Sequence, residues 1–271
     1  MADWLSSDAT FDGIKMHYYR TGGDKPPIVL NHGATDDGLC WTPTARALEP
    51  DYDVIMPDAR GHGLSDDTTG AANSEQRAHD LAGFVRALGL QKPVVGGHSM
   101  GASTTLYFAA LYPDVPSKAI LEDPGLWTEN DPSEESARAE RMARIRENSA
   151  RMRAMSRDQL IAYCRKQNPT WAEEELGPWA DSKMRVKPSM GFSRGQPTSL
   201  TWQEALARIT CPVLLLTSEV ARGGIVTPEA AAEAQAVKPS LGVVNIAGAG
   251  HNIRREQFGA FLEAVRGFLA E

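Results

Sequence analysis

Cysteine is scarce in this chain, and its three thiols form no recognisable set. Cys40, Cys164 and Cys211 are widely separated, and no Cys-x-x-Cys spacing occurs. A disulfide framework or a structural zinc site is normally marked by paired or closely spaced cysteines. We therefore expect reduced, mostly structural thiols in a cytoplasmic protein, without a bound metal.

Long hydrophobic runs are also missing. A membrane-spanning helix needs a run of about 18 or more apolar residues, and the sequence has none. The first residues, Met1–Trp4, include no basic segment followed by an apolar stretch, which is the pattern of a cleaved signal peptide. The sequence therefore predicts a protein without a membrane partner and without a cleaved leader.

Positive charge is in deficit, because 28 lysines and arginines face 35 aspartates and glutamates, for a net charge of −7. Proteins that bind nucleic acid concentrate basic residues on one face. Arginines do cluster between Arg138 and Arg165, but glutamates are interleaved with them, which is typical of a solvated helical face. We expect no nucleic-acid partner.

Flexible linkers and internal repeats are absent as well. No Ser/Gly-rich or Pro-rich stretch divides the 271 residues, and 42% hydrophobic with 23% charged residues is an ordinary globular composition. A chain of this length is large enough for one α/β domain with a buried core. The sequence favours a single domain that carries an insertion.

What the sequence does contain is an alternation of short apolar runs and helical patterns. An edge strand at Ile14–Arg20 follows a turn at Asp12-Gly13, and a partner strand before Asp12 would complete an antiparallel hairpin. Six further runs suit buried strands, namely Ile28–Leu30, Val54–Met56, Val94–Gly97, Ala119–Leu121, Val213–Thr217 and Val243–Ile246. Strands separated by helices indicate βαβ units and a parallel sheet with right-handed crossovers.

The segment 126–202 has a different character, with no apolar strand runs and many Arg, Glu, Met and Trp residues. Helix start signals occur at Asp131, Ser156 and Thr170, each followed by Glu or Gln at the position that completes a capping box. We expect residues 126–202 to form a helical cap over the carboxyl edge of the sheet, where ligands bind in open α/β folds. Residues 1–125 and 203–271 would form the core.

The most informative stretch is Val94–Ala102, in which an apolar β-branched run meets Gly97-His98-Ser99-Met100-Gly101 before a helix-like segment. This pattern predicts a strand that turns sharply into a helix and presents the Ser99 hydroxyl in a cleft. Ser99 is therefore the candidate nucleophile. The N–H of Met100, at the start of the helix, is a candidate donor to an oxyanion.

A serine hydroxyl is a poor nucleophile at neutral pH and needs a base within hydrogen-bond reach, a task that suits histidine. Of the six histidines, His251 is favoured because it lies in a glycine-rich loop after the last strand. His17 and His79 are predicted to lie on the surface. The side chain of His98 is predicted to point away from the cleft.

The chain resembles the α/β-hydrolase superfamily, because His32-Gly33, Asp58–Ser65, Gly97–Gly101 and Gly250-His251 occur in the order of that family's motifs. The likeness runs over Asp12–Phe268, and within it only the predicted cap is without a family-specific signature. The resemblance implies the α/β-hydrolase fold, a mostly parallel sheet of about eight strands with helices on both faces and a helical cap. It also implies hydrolysis of an acyl bond, and we expect no cofactor.

The same resemblance assigns roles to further residues. Ala34 would supply the second oxyanion donor, and His32 would hold the oxyanion loop by hydrogen bonds. His62, in a glycine-rich segment, would be structural.

The third member of the site must be a carboxylate that orients the base. In most members of the superfamily an aspartate follows the strand corresponding to Val213–Thr217, but here only Glu219 is nearby. Other members place the acid after the preceding strand, where Asp123 stands. Asp123 is favoured, with Glu219 and Glu122 as alternatives.

Taken together, the motifs predict a serine esterase or lactonase that cleaves a carboxylic ester or lactone through an acyl-enzyme. Trp127 and Trp179 suggest an apolar or aromatic substrate pocket, although each also suits the core of the cap. A C–C bond hydrolase and a cofactor-free perhydrolase are alternatives with the same triad. A ligand receptor built on the same scaffold is an alternative from a different class.

Overall fold

An eight-stranded sheet forms the centre of the computed structural model, which describes residues 4–67, 72–126, 135–187 and 198–271. The strands are β1 Leu5–Phe11, β2 Ile14–Arg20, β3 Pro27–Asn31, β4 Asp53–Pro57, β5 Val94–His98, β6 Lys118–Glu122, β7 Val213–Thr217 and β8 Gly242–Asn245. Their order across the sheet is β1-β2-β4-β3-β5-β6-β7-β8. Every strand that the sequence predicts is present.

The sheet is parallel except at one edge, where β1 pairs antiparallel with β2 and β2 pairs antiparallel with β4. The turn between β1 and β2 is at Asp12 and Gly13, which both have positive φ. The remaining neighbours pair in parallel, so that β3, β5, β6, β7 and β8 all end at the same edge. The predicted mostly parallel sheet with an edge hairpin is confirmed.

Helices cover both faces of this sheet and lie beyond its carboxyl edge. They are α1 Thr42–Leu48, α2 Ser74–Ala87, α3 Met100–Leu111, α4 Glu135–Arg153, α5 Arg157–Gln167, α6 Glu173–Arg185, α7 Trp202–Arg208, α8 Pro228–Val237, α9 Ile253–Glu256 and α10 Phe258–Ala270. A 3₁₀ turn at Gly38–Trp41 leads into α1. The structure therefore has three layers, which is the arrangement expected of βαβ units.

Two hydrophobic cores explain why the central strands read as continuous apolar runs. Side chains alternate between the faces of a strand, so Val29 packs with α2, α3 and α7 on one face. Its neighbours Ile28 and Leu30 pack with α1 and α10 on the other. Since both faces are covered, apolar residues can follow one another along the middle of these strands.

Helices α4, α5 and α6 occupy the segment predicted as a cap, and α5 and α6 enclose a small core of their own. Ser156 begins α5 with the predicted capping box, which is confirmed. The prediction at Thr170 is wrong, because α6 begins after Ala172 without a side-chain cap. The start signal at Asp131 lies outside the described residues, and the division into 1–125, 126–202 and 203–271 stays a prediction.

Two further expectations concern polar and sulfur-bearing side chains. Cys40, Cys164 and Cys211 are all buried and form no disulfide, as expected. His79 is exposed as predicted, but the surface position predicted for His17 is wrong. His17 tolerates burial because Asp8 and Ser6 on the paired strand hydrogen-bond both of its ring nitrogens. In the described part of the chain, no helix is long and apolar enough to cross a membrane.

Candidate active site

The turn from β5 into α3 holds Ser99 in a conformation that L-residues rarely adopt, with φ 53° and ψ −113°. Two glycines make this turn possible. A Cβ on Gly97 would lie 2.3 Å from the backbone carbonyl of Gly101, and a Cβ on Gly101 would lie 2.1 Å from the carbonyl oxygen of Asn31. The strained serine and its close-packed neighbours form the sharp strand-to-helix turn that the sequence pattern predicts.

Because the backbone of Gly101 lies so close to Gly97, a methyl group added at Gly97 should destabilise the fold. Gly97→Ala is expected to lower the free energy of unfolding by about 1–3 kcal/mol, because the added carbon meets backbone that cannot rotate away. Gly267→Ala in α10 is the matched control, since its added carbon meets nothing within 4 Å. That variant is expected to be unchanged or more stable by up to about 1 kcal/mol. Urea unfolding of both variants measures the contrast, and equal stabilities would contradict it.

His251 and Asp123 meet at the carboxyl edge of the sheet, with Nδ1 of the imidazole 2.6 Å from Oδ2 of the carboxylate. Asp123 follows β6 with φ 44°, and its side chain is fully buried. The carboxylate also accepts hydrogen bonds from the N–H groups of Ile225 and Val226. A carboxylate partner makes Nδ1 the donor, which leaves Nε2 of His251 free to accept a proton.

The alternative acids lie elsewhere. Glu219 is partly exposed and accepts from the N–H of Gly248 and from the side chain of Arg222. Glu122 is buried and pairs with Arg254, and burial raises its pKa. The geometry thus joins Asp123, and neither alternative, to His251 by a hydrogen bond.

Ser99 lies on the same edge as this pair. Its N–H donates to the carbonyl of Glu122, the residue before Asp123. The ring centroid of His98, the residue before Ser99, lies 4.7 Å from the ring centroid of His251. No hydrogen bond joins Ser99 to His251 within the described residues, and such catalytic contacts often tighten only when substrate is bound.

The loop after β3 brings Ala34 to this edge. His32 accepts at Nε2 from the N–H of Ala59, so its Nδ1 carries the proton and donates to the carbonyl of Gly33. Burial lowers the pKa of His32, which agrees with a neutral ring. His32 therefore ties the loop down in the way that the resemblance implies. Met100, the other candidate donor, is the first residue of α3, where helix geometry leaves N–H groups unpaired.

The remaining histidines near the site have structural contacts. His98 is buried, its Nε2 donates to the carbonyl oxygen of His251, and burial together with Arg254 lowers its pKa well below the usual value. Its ring therefore contacts the backbone of the loop that carries His251, and the direction of its side chain away from the cleft stays a prediction. His62 is buried beside His32, and burial lowers its pKa to about 3.

The two tryptophans predicted to contact the substrate belong to the segment predicted as a cap. Trp179 is 8% exposed and packs in the cap core with Leu160, Cys164 and Leu176. This burial favours a role in the cap core, and its contact with substrate stays a prediction. Trp127 lies outside the described residues. Among the residues that the structure describes, no cluster of His, Cys, Asp and Glu could hold a metal ion.

A buried network of charges next to the site was not predicted from the sequence. Its members share burial and opposite-charge partners, and they are Asp36, Glu122, Glu175, Lys183, Arg254 and Arg255. Asp36 is central, because Lys183, Arg254 and Arg255 all lie within 4 Å of it. The sequence gives only their positions as a signal, since Asp36 follows the candidate oxyanion donor Ala34 and the two arginines follow His251.

Comparison with known proteins finds chains of similar length and fold. A model of the alpha/beta hydrolase family matches residues 28–264. N-formylmaleamate deformylase of Pseudomonas putida is 28% identical over 260 residues, covering 95% of this chain and 94% of that protein. 2-(Acetamidomethylene)succinate hydrolase of Mesorhizobium japonicum is 28% identical over 269 residues, covering 92% and 90%. A malate-bound thermophilic esterase from Thermogutta terrifontis has a TM-score of 0.71 at 26% identity, with 98% of each chain covered.

Proposed function

The chain belongs to the alpha/beta hydrolase family, and we propose that it cleaves a carboxylic ester or lactone through an acyl-enzyme on Ser99. The α/β-hydrolase fold expected from the sequence is confirmed. Hydrolase activity follows from the family. The bond that is cleaved and the roles of individual residues are the proposal.

In the proposed first step, Oγ of Ser99 attacks the substrate carbonyl carbon while Nε2 of His251 takes the hydroxyl proton. Asp123 stabilises the resulting imidazolium and keeps its ring oriented. The N–H groups of Ala34 and Met100 donate to the carbonyl oxygen as it becomes negative, and each such donor typically contributes about 2.7–4 kcal/mol of transition-state stabilisation.

The intermediate then collapses, the bond to the leaving alcohol breaks, and His251 returns its proton to the leaving oxygen. Water enters, gives a proton to His251 and attacks the acyl carbon. The ester bond to Ser99 breaks, the proton returns to the serine oxygen, and the carboxylic acid leaves. Atoms and charges balance over the cycle, and the protein is regenerated without a cofactor.

One observation carries this proposal, namely the 2.6 Å contact between His251 and Asp123 at the sheet edge that also bears the strained Ser99. The carboxylate of Asp123 is fully buried, and its other partners are backbone N–H groups. Such a fixed carboxylate is what a histidine base requires to keep its ring oriented. Strain at the serine likewise persists only where the surrounding structure enforces it. The contact, the buried carboxylate and the strained serine lie at one edge of the sheet, and this arrangement supports nucleophilic catalysis.

Hydrolysis of an N-acyl amide is the second candidate. It is supported by the two relatives that match over most of this chain, because their names describe a deformylase and an acetamido-compound hydrolase. The same triad and oxyanion donors would serve, since His251 can protonate a leaving nitrogen as well as an oxygen. The apolar or aromatic substrate pocket suggested by Trp127 and Trp179 belongs to the proposal of ester or lactone hydrolysis.

A substrate panel separates these possibilities. Purified protein is assayed with p-nitrophenyl esters of graded acyl length, lactones of graded ring size, and N-formyl and N-acetyl amides. The proposal expects multiple turnovers, with kcat/KM for an ester or lactone above that for every amide. Higher kcat/KM for an amide would support the second candidate and contradict the first.

Three other outcomes would also contradict ester or lactone hydrolysis as the main activity. Preferred cleavage of a dienoate ketone would indicate a C–C bond hydrolase. Preferred peroxide-dependent halogenation in acetate buffer would indicate a perhydrolase. Stoichiometric capture of an ester without multiple turnovers would indicate a ligand receptor on this scaffold.

A further inference from the structure

A buried lysine of the cap contacts the loop that carries the proposed oxyanion donor Ala34. Lys183 lies on α6 with its side chain 5% exposed. Its ammonium group donates to the carbonyl oxygen of Thr35 at 2.9 Å and to Oδ1 of Asp36 at 2.6 Å. A buried ammonium group is costly unless it is paired and hydrogen-bonded, so these contacts define its position.

The contact continues as a chain of hydrogen-bonded peptide groups. The carbonyl of Thr35 belongs to the same peptide group as the N–H of Asp36, and that N–H donates to the carbonyl of Gly33 at 3.2 Å. The carbonyl of Gly33 in turn shares a peptide group with the N–H of Ala34. In a trans peptide the N–H and C=O point in opposite directions, so fixing one fixes the other. Lys183 is therefore two peptide groups away from the proposed donor.

The loop needs such an anchor because its backbone is strained. Thr35 has φ 65°, in the left-handed region that a β-branched residue rarely enters. Conformations of this kind persist only when neighbouring contacts determine them. His32 holds the Gly33 carbonyl from within the loop, and Lys183 holds Thr35 from the cap.

A second cap residue strengthens the same junction. Arg185, on the same helix, pairs with Asp37 at 2.9 Å, so that consecutive aspartates of the loop each face a cation of α6. From the opposite side, Arg255 lies 3.2 Å from Asp36. Although burial opposes ionisation, Arg255 and Lys183 hold the pKa of Asp36 well below its usual value.

We propose that Lys183 is a positioning residue for the oxyanion hole, acting from the cap through the Thr35 and Gly33 carbonyls to aim the N–H of Ala34. Lys183 touches no reacting atom in this account. The inference rests on the proposed serine mechanism, because it assigns Ala34 as a donor. It gives the cap helix α6 a part in catalysis besides covering the site.

The test compares Lys183→Met with Lys183→Arg, which keeps a cation of similar reach. Asp181→Asn is the matched control, since Asp181 lies on the same helix as Lys183 and the substitution breaks a partly exposed ion pair with Arg157 of α5. Arg254 and Arg255 still face Asp36 in Lys183→Met, so its carboxylate keeps partners. Should that variant not fold, Lys183→Gln, whose shorter side chain keeps a donor near Asp36, takes its place.

Each variant is assayed with an ester that the wild-type protein turns over, and rates are divided by the number of sites titrated with a phosphonate. Lys183→Met is expected to lower kcat about 10–100-fold, less than the 10²–10³-fold cost of a lost donor, with KM changed less than about threefold. Affinity for a trifluoromethyl ketone, which mimics the oxyanion, should fall by the same factor, while affinity for the product acid stays constant. Lys183→Arg should recover most of kcat, and Asp181→Asn should match wild type.

Two results would overturn the inference while leaving the serine mechanism in place. One is an unchanged kcat per titrated site in Lys183→Met, which would mean that the lysine only stabilises the cap. The other is an equal loss of affinity for the ketone and the product acid, which would mean a general effect on binding. Absence of turnover and of phosphonate labelling in the wild-type protein would instead contradict the proposed function itself.

Discussion

Replacing Ser99 with alanine is expected to lower kcat for ester hydrolysis by about 10⁶-fold, because a triad whose members act as a unit loses nearly all its effect with any one of them. Oγ of Ser99 is the atom that would form the ester bond of the acyl-enzyme, and alanine has no such atom. Affinity for substrate should stay close to that of wild type, since the methyl group fits the space of the hydroxymethyl. Steady-state kinetics on the best substrate of the panel, with an equilibrium binding assay, measures both quantities.

Ser103→Ala provides the matched control for this substitution. Ser103 lies one turn further along α3, and its N–H donates to the carbonyl of Ser99, a bond that the control preserves. We expect its kcat within about threefold of wild type, because the substitution leaves the hydroxyl of Ser99 and its backbone contact to residue 103 in place. Ser99→Ala with turnover similar to that of Ser103→Ala would exclude the serine mechanism.

Asp123→Asn is expected to produce the second-largest loss, about 10⁴-fold in kcat. An amide oxygen in the place of Oδ1 can still accept from the N–H groups of Ile225 and Val226, so the NH₂ group would face Nδ1 of His251. That contact favours the tautomer with the proton on Nε2, which cannot act as a base. The protein should remain folded, and the loss should appear in kcat at an unchanged thermal midpoint.

Glu219→Gln tests the alternative acid in the same assay. Its amide oxygen can still accept from the N–H of Gly248, and the lost ion pair with Arg222 lies at the surface. Exposed ion pairs contribute at most about 1 kcal/mol, so activity within a few fold of wild type is expected. A large loss in Glu219→Gln with a small loss in Asp123→Asn would reverse the assignment of the acid.

Much of the fold was predictable because its signals are local. The runs at Val54–Met56 and Val213–Thr217 are buried on both faces, so an apolar stretch bounded by turn residues was sufficient to identify each strand. Ser156 likewise caps α5 through a motif of adjacent residues. At Thr170 the same motif misled, because the chain makes a further turn at Asn168–Trp171 before α6 begins.

The site was predictable only in part, since its geometry depends on contacts between distant segments. Ser99 is marked by its own neighbours, whereas the choice between Asp123 and Glu219 depends on which carboxylate the fold brings to His251. Each of these two carboxylates follows a strand that ends at this edge of the sheet, so sequence position alone permits either one. Distances in the folded chain distinguish them, with a 2.6 Å contact to Asp123.

The buried charges could not have been inferred from composition. Lys183 and Asp36 are 147 positions apart, and each alone is an ordinary surface-type residue in a polar segment. Charged residues are rarely buried unless they are paired, so their burial becomes meaningful only when both partners are seen together. His17 illustrates the same limit, because its partners Asp8 and Ser6 come from a neighbouring strand.

The acyl-enzyme itself offers the most direct test of the proposed mechanism. Protein mixed with its best ester is quenched in acid during turnover, and its intact mass is measured before peptide mapping. We predict one added acyl group on the peptide that contains Ser99, and no such addition in Ser99→Ala. Turnover without any acylated protein, or acylation at another residue with Ser99 unmodified, would contradict it.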